Sequence, residues 1–213
     1  MRAMKDSGVE WIGEIPEGWS KYLLFQLVAQ VKTKNENLQE TNLLSLSYGK
    51  IKRKSIDTVE GLLPESFDGY NIIEKDDIVL RLTDLQNDRR SLRTGISQER
   101  GIITSAYVAI KASKKLNPKY FYYLLHSYDL SKVLYNMGSG VRQGLNYDEL
   151  SKLKLIEPTL IEQEEIVAFL DAKCAEIESC IEVKRHQISK LESYRKSIIF
   201  EYVTGKKEVD TIE

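Results

Sequence analysis

The sequence predicts an α+β fold: a mixed α/β globular domain over residues 1–158, a long C-terminal coiled-coil helix over 159–205, and a polar tail over 206–213. Three observations predict it. Short apolar runs rich in branched residues recur through the first half, a capped amphipathic helix follows them, and a heptad pattern then persists to the C-terminal end.

The opening Ser7-Gly8-Val9-Glu10-Trp11-Ile12-Gly13-Glu14-Ile15-Pro16-Glu17-Gly18-Trp19 is rich in Gly and Pro and carries both tryptophans. It reads as an irregular segment pinned by aromatic burial. Residues 21–31 alternate loosely in polarity and suit a strand or a short helix, and residues 33–41 form a polar connector. Leu43-Leu44-Ser45-Leu46, Asp77-Ile78-Val79-Leu80-Arg81-Leu82 and the run from Ile102 to Ile110 have the composition of core strands. Asn117-Pro118 supplies an N-cap and a first-turn proline, and Phe121, Leu124, Leu125 and Tyr128 then repeat at helical spacing towards Leu134. Gly138-Ser139-Gly140 breaks the pattern, Asn146 with Glu149 forms a capping box, and Pro158 ends the globular part.

Thr159 with Glu162 caps the last helix, and Gly205 closes it. One seam position is filled by Cys174, Ile181, Ile188, Arg195 and Tyr202, and the other by Leu170, Ile177, Lys184, Leu191 and Ile198. The helix spans roughly 60 Å at 1.5 Å per residue, a long stripe for one small domain to cover, so it predicts a helical partner, the alternative being a helix folded back on its own domain. Leu170, Cys174, Ile177, Ile181, Ile188, Leu191 and Ile198 are the expected partner-facing residues. Acidic residues (Glu162, Glu164, Glu165, Asp171) crowd the first half and basic ones (Lys184, Arg185, Lys190, Arg195, Lys196) the second. That polarity favours an antiparallel pair, since a parallel one sets like against like.

Composition narrows the chemistry. Apolar content of 42% with 30% charged residues is that of a folded soluble protein, and there is no apolar run of the ~18 residues that a membrane span needs. The first residues lack the apolar stretch of a secretory signal, and Cys174 and Cys180 on one helix suit a reducing compartment, so the expected location is the cytoplasm. Neither His126 nor His186 has a metal-ligand spacing, so no metal site is expected. Asp76, Asp77, Asp84 and Asp88 lack the order of an ion-binding loop and read as turn acids. No nucleotide-binding loop or nucleophile elbow occurs, and Asn117-Pro118-Lys119-Tyr120 lacks the second proline of the Asn-Pro-Pro-Tyr of adenine methyltransferases. No catalytic residue is assigned.

A net charge of −1 is unlike that of a uniformly basic nucleic-acid binder, so any DNA contact must come from local patches. Three segments qualify. Tyr48-Gly49-Lys50-Ile51-Lys52-Arg53-Lys54 offers phosphate contacts through Lys50, Arg53 and Lys54, or is simply a solvated basic turn. Residues 81–93 mix cations with amides, the types that pair with base edges: Arg81, Gln86, Asn87, Arg89, Arg90 and Arg93. Arg142 and Gln143 sit on the glycine frame of residues 138–144, which also reads as a plain turn.

Lys5-Asp6 and the Ser7–Trp19 stretch that follows them together resemble the start of a repeat unit in the specificity (S) subunits of type I restriction-modification enzymes. Gly138-Ser139-Gly140-Val141-Arg142-Gln143-Gly144-Leu145, Ile161-Glu162-Gln163, Ala168-Phe169-Leu170-Asp171, Tyr194-Arg195-Lys196-Ser197-Ile198-Ile199 and Val203-Thr204-Gly205-Lys206 resemble that family's later landmarks. The resemblance implies a target recognition domain that reads half of a split sequence in double-stranded DNA. It also implies a spacer helix that docks modification (methyltransferase) subunits and, through the complex, ATP-dependent restriction subunits. S-adenosylmethionine, ATP and Mg would belong to those partners and not to this chain. Full-length members carry two such halves, so the chain is expected to be a natural half-subunit or a fragment that pairs as an antiparallel homodimer. The competing expectation is a coiled-coil scaffold or decoy that occupies the modification subunit without reading DNA.

Overall fold

The computed structural model describes residues 2–55, 66–85, 90–137 and 144–209, and the chain divides into two compact units, Met1–Ile166 and Val167–Glu213. In the first unit β1 (Met4–Asp6) pairs antiparallel with β2 (Glu14–Pro16). The opening is therefore a hairpin and not an irregular segment, and its fully buried apolar side chains are aliphatic while Trp19 is half-buried. Val9 and Ile15 are buried, whereas Trp11 stays 42% exposed with one ring edge on Tyr128 at 5.7 Å. Local Gly and Pro density hides such short strands, because their pairing is set by register and not by composition.

β3 (Ser20–Leu23) runs into a single helical turn, α1 (Leu24–Leu27), and then into β4 (Val28–Val31), so both elements suggested for residues 21–31 occur. β5 (Leu44–Ser47) and β6 (Lys50–Arg53) form a hairpin whose two turn residues, Tyr48 and Gly49, have φ of 48° and 76°. Both positive angles define the tight turn whose twist matches paired strands, and glycine takes its angle without strain. The stretch expected to be a basic turn is thus mostly strand. β7 (Asn71–Ile73), β8 (Ile78–Leu80) and β9 (Thr94–Ile96) follow. The apolar run at 102–110 splits into β10 (Gly101–Ile103) and β11 (Val108–Ala112) around a turn closed by Tyr107 N–H on the Thr104 carbonyl at 3.1 Å.

A four-stranded antiparallel sheet, in the order β4-β11-β8-β9, is the largest layer, with β10-β7 and β5-β6 as two-stranded ribbons. Leu44, Leu46, Ile73, Val79, Ile103 and Ala109 form one buried cluster, capped by half-buried Val31, Ile51 and Tyr107. Those core residues come from five separate strands, so this shared cluster helps hold the ribbons against the sheet.

α2 (Pro118–Leu130) starts as its cap predicts, with Asn117 Oδ1 accepting from the N–H groups of Lys119 and Tyr120. It ends earlier than its apolar spacing suggests. Lys132 takes a left-handed conformation, φ 59°, and a 3₁₀ turn, Val133–Asn136, completes the apolar run. α3 (Tyr147–Leu150) is one turn held by the Asn146–Glu149 capping box. β12 (Lys154–Glu157) then pairs antiparallel with β3, joining the two ends of the domain. Tyr128 and Tyr120 on α2 donate their hydroxyls to the carbonyls of Lys154 and Ile156, at 3.1 and 3.4 Å.

α4 (Leu160–Val203) is a single helix of 44 residues, about 66 Å at the standard rise. Thr159 and Glu162 form its capping box, and at its far end Lys206 N–H returns to the Glu201 carbonyl at 2.8 Å. Its first turn is part of the first unit. Gln163 is fully buried there, and Glu162 pairs with Arg2, which together with the cap bonds holds its carboxyl below the usual range. From Val167 on, the helix stands as the second unit. No helix among the described residues is long and apolar enough to cross a membrane.

Candidate nucleic-acid interface

The fold brings together the segments that the sequence marks separately. The β5–β6 hairpin lies over β9: a Cβ added to Gly95 would stand 2.5 Å from Leu46 Cδ1 and 3.1 Å from Ile51 Cγ1. The hairpin turn meets the loop before β9 in the same way, since a Cβ on Gly49 would stand 3.0 Å from Leu92 Cβ. From the other side, Leu145 N–H donates to the Leu82 carbonyl at 2.9 Å, joining the end of the 138–144 segment to the loop that follows β8. The basic hairpin, the 81–93 loop and the stem of the glycine-rich segment therefore share one region of the first unit.

In that region Lys50, Lys52, Arg53 and Lys54 are exposed on or beside β6, Tyr48 at the turn is 74% exposed, and Arg90 is exposed. Arg81 is half-buried. Arg53 is engaged by both carboxylate oxygens of Glu99, 2.7 and 3.0 Å from its Nε. The bidentate bond raises the guanidinium's pKa and lowers that of Glu99. Part of its charge is therefore already met. Gln86, Asn87, Arg89, Arg142 and Gln143 lie outside the described residues.

Arg93 is the correction. Expected to face DNA, it is fully buried. Its Nε donates to the Tyr135 hydroxyl at 3.0 Å and its terminal nitrogens donate to the carbonyls of Arg81, Thr83 and Asp84. An arginine whose fork is spent on carbonyls inside the fold has no donors to offer a base. Local sequence gave no sign of this, because burial depends on α2 and the 3₁₀ turn closing over it.

Three residues outside the expected set gain a place. Lys52 shares the exposed basic strand. Tyr135 takes Arg93 on its hydroxyl and ring, and Lys132 Nζ sits 4.8 Å from the same ring. Of the acids weighed as a cluster, Asp76 and Asp84 hold positive-φ turn positions, and Asp77 is buried, with burial raising its pKa. Among the described residues no group of three or more His, Cys, Asp or Glu could hold a metal ion.

On α4, Ile177, Ile188 and Leu191 are more than half exposed and Ile181 is 38% exposed. Leu170 and Ile198 are half-buried, and Cys174, like Cys180, is a free exposed thiol. In this single chain the seam faces solvent along most of its length.

Comparison with known proteins follows the same lines. No curated protein sequence matches the chain. Among the solved structures similar to it, two illustrate its fold. One, described as the "structural basis underlying complex assembly and conformational transition of the type I R-M system", is 14% identical with a TM-score of 0.59, covering 93% of this chain and 48% of that one. The other, the HsdS subunit from Thermoanaerobacter tengcongensis, is 16% identical with a TM-score of 0.54, covering 93% of this chain and 47% of its own. The chain spans about half the length of each. At such identities the likeness shows the α+β fold with its long C-terminal helix and nothing finer. The family model for the type I restriction modification DNA specificity domain matches residues 16–193, most of the chain, and the chain belongs to that family.

Proposed function

We propose that this chain reads one half of a bipartite sequence in double-stranded DNA and brings modification subunits to it, without performing a chemical step itself. The observation that carries the reading is the convergence of the basic hairpin, the 81–93 loop and the 138–144 stem in the unit that precedes a helix with an open apolar seam. Cations on the hairpin supply phosphate contacts, and the loop supplies side chains for base edges. The seam is the surface on which a second copy pairs antiparallel. Two recognition domains would then face an interrupted palindrome, with the helix setting their separation. The reading is supported by the family match. S-adenosylmethionine, ATP and Mg act in the partner modification and restriction subunits, in the cytoplasm where the genome lies.

The test is to express the chain with a cognate modification subunit and map methylated adenines across a genome. A symmetric bipartite motif that disappears when the chain is deleted is the expected result. An unchanged methylation pattern on deletion, with the complex still forming, overturns DNA reading and leaves a scaffold.

A further inference from the structure

Four consecutive carbonyls after β8 are all captured from inside. Arg93 takes those of Arg81, Thr83 and Asp84, and Leu145 N–H takes that of Leu82. Asp84 holds a left-handed φ of 54°, a strained angle for a residue with a side chain, and its carbonyl is bound by Arg93 Nη2 at 2.9 Å. On its other side the arginine reaches Tyr135, in the 3₁₀ turn that leads towards the glycine-rich segment. Its backbone N–H donates to the carboxylate of Asp129 on α2, a fully buried residue whose pKa is raised by burial.

Burying a guanidinium is costly, and well-packed apolar side chains often stabilise a fold at least as well. What the arginine adds is a planar fork that can hold several oxygens at fixed angles, which neither an apolar residue nor lysine can reproduce. We propose that Arg93 is a positioning residue for DNA reading: it ties the described ends of the 81–93 loop to each other and to the 3₁₀ turn at Tyr135, and so fixes the register in which Arg81 and Arg90 meet DNA. This rests on the reading given under Proposed function. Base contacts discriminate only when their donors are held in place before binding, so a loosened stem costs sequence discrimination more than it costs non-specific affinity.

The experiment uses the full chain and a fluorescent duplex carrying the motif returned by methylation mapping, together with duplexes changed at one base pair. Arg93→Lys is expected to shrink the cognate-to-mismatch affinity ratio about tenfold, the scale of one good bidentate base contact. Tyr135→Phe removes only the hydroxyl that receives Nε, and it should shift the ratio in the same direction by a smaller factor even where Arg93→Lys folds poorly. Phe121→Leu, a core variant on α2 eight residues before Asp129 and so about 12 Å from it along the helix, serves as the control for lost stability. Its ratio should stay within about twofold of the parent's, as expected of a distant and independent site. An undiminished ratio in both Arg93→Lys and Tyr135→Phe, or an equal fall in Phe121→Leu, overturns the positioning role. A parent chain that does not prefer the motif duplex at all instead overturns DNA reading, and the positioning role falls with it.

Discussion

Gln163, in the first turn of α4, accepts a hydrogen bond on its Oε1 from the backbone N–H of Asn117, the N-cap of α2, at 2.7 Å. Its Nε2 donates to the carbonyls of Lys115 and Pro158 at 3.1 and 3.0 Å. One buried amide thus satisfies three backbone groups from two chain segments. Gln163→Leu keeps the volume and orphans all three, so it should cost about 2–4 kcal/mol in urea unfolding, a few times the value of one unsatisfied buried group. A loss below about 0.5 kcal/mol, the ordinary range of a surface change, would show that the amide is dispensable.

Gly95 leaves room for the β5–β6 hairpin, as its short hypothetical Cβ contacts with Leu46 and Ile51 show. Gly95→Ala should destabilise by about 1–3 kcal/mol, the cost of overpacking a closed contact. Because the hairpin would be lifted from β9, DNA affinity should fall with it. A variant of parental melting temperature would contradict the packing.

Lys52 and Lys54 are exposed cations on or beside β6, whereas Arg53 is bonded to Glu99. Replacing Lys50, Lys52 or Lys54 with Ala should lower the slope of log affinity against log salt by about one if that residue meets a phosphate. Arg53→Ala should lower it less, since its carboxylate partner already offsets part of its charge. Slopes equal to the parent's in all four variants would remove the hairpin from the interface. Replacing Arg89 and Arg90 with Ala should weaken methylation and leave subunit assembly intact.

Burial disfavours the charged form of Asp77 and of Asp129 and raises both pKa values. From the ordinary aspartate range up to the raised values, the folded chain binds more protons than the unfolded one. Stability contributed there is present at low pH and is lost as pH rises through the folded values. Asp77→Asn removes one of these titrations and keeps an acceptor for the Glu74 N–H, now bonded to Oδ2 at 2.8 Å. Unfolding measured from acid to neutral pH should therefore show the variant gaining on the parent as pH rises. A constant difference would mean that Asp77 titrates alike in both states.

Ile181 and Ile188 are 38% and 57% exposed on α4. Asp at both positions should abolish antiparallel pairing and shift sedimentation to the single chain, and helix content should drop because an unpartnered amphipathic helix is marginal in water. A dimer that survives both substitutions would place the pairing surface elsewhere.

The sequence by itself determined the elements whose signals are local. Caps at Asn117, Asn146 and Thr159, the stop at Gly205 and the heptad of α4 are written within a few residues of where they act, because they satisfy backbone groups or repeat along one face. Family landmarks were legible for the same reason. Only the tertiary structure decided the opening hairpin, the split of residues 102–110 and the pairing of β3 with β12, since strand partners are chosen by register across long separations. It also separated two arginines that look alike in sequence. Arg90 is exposed, while Arg93, three residues on, is buried among carbonyls beneath α2 and the 3₁₀ turn, because burial is a property of what closes over a side chain and not of the side chain itself.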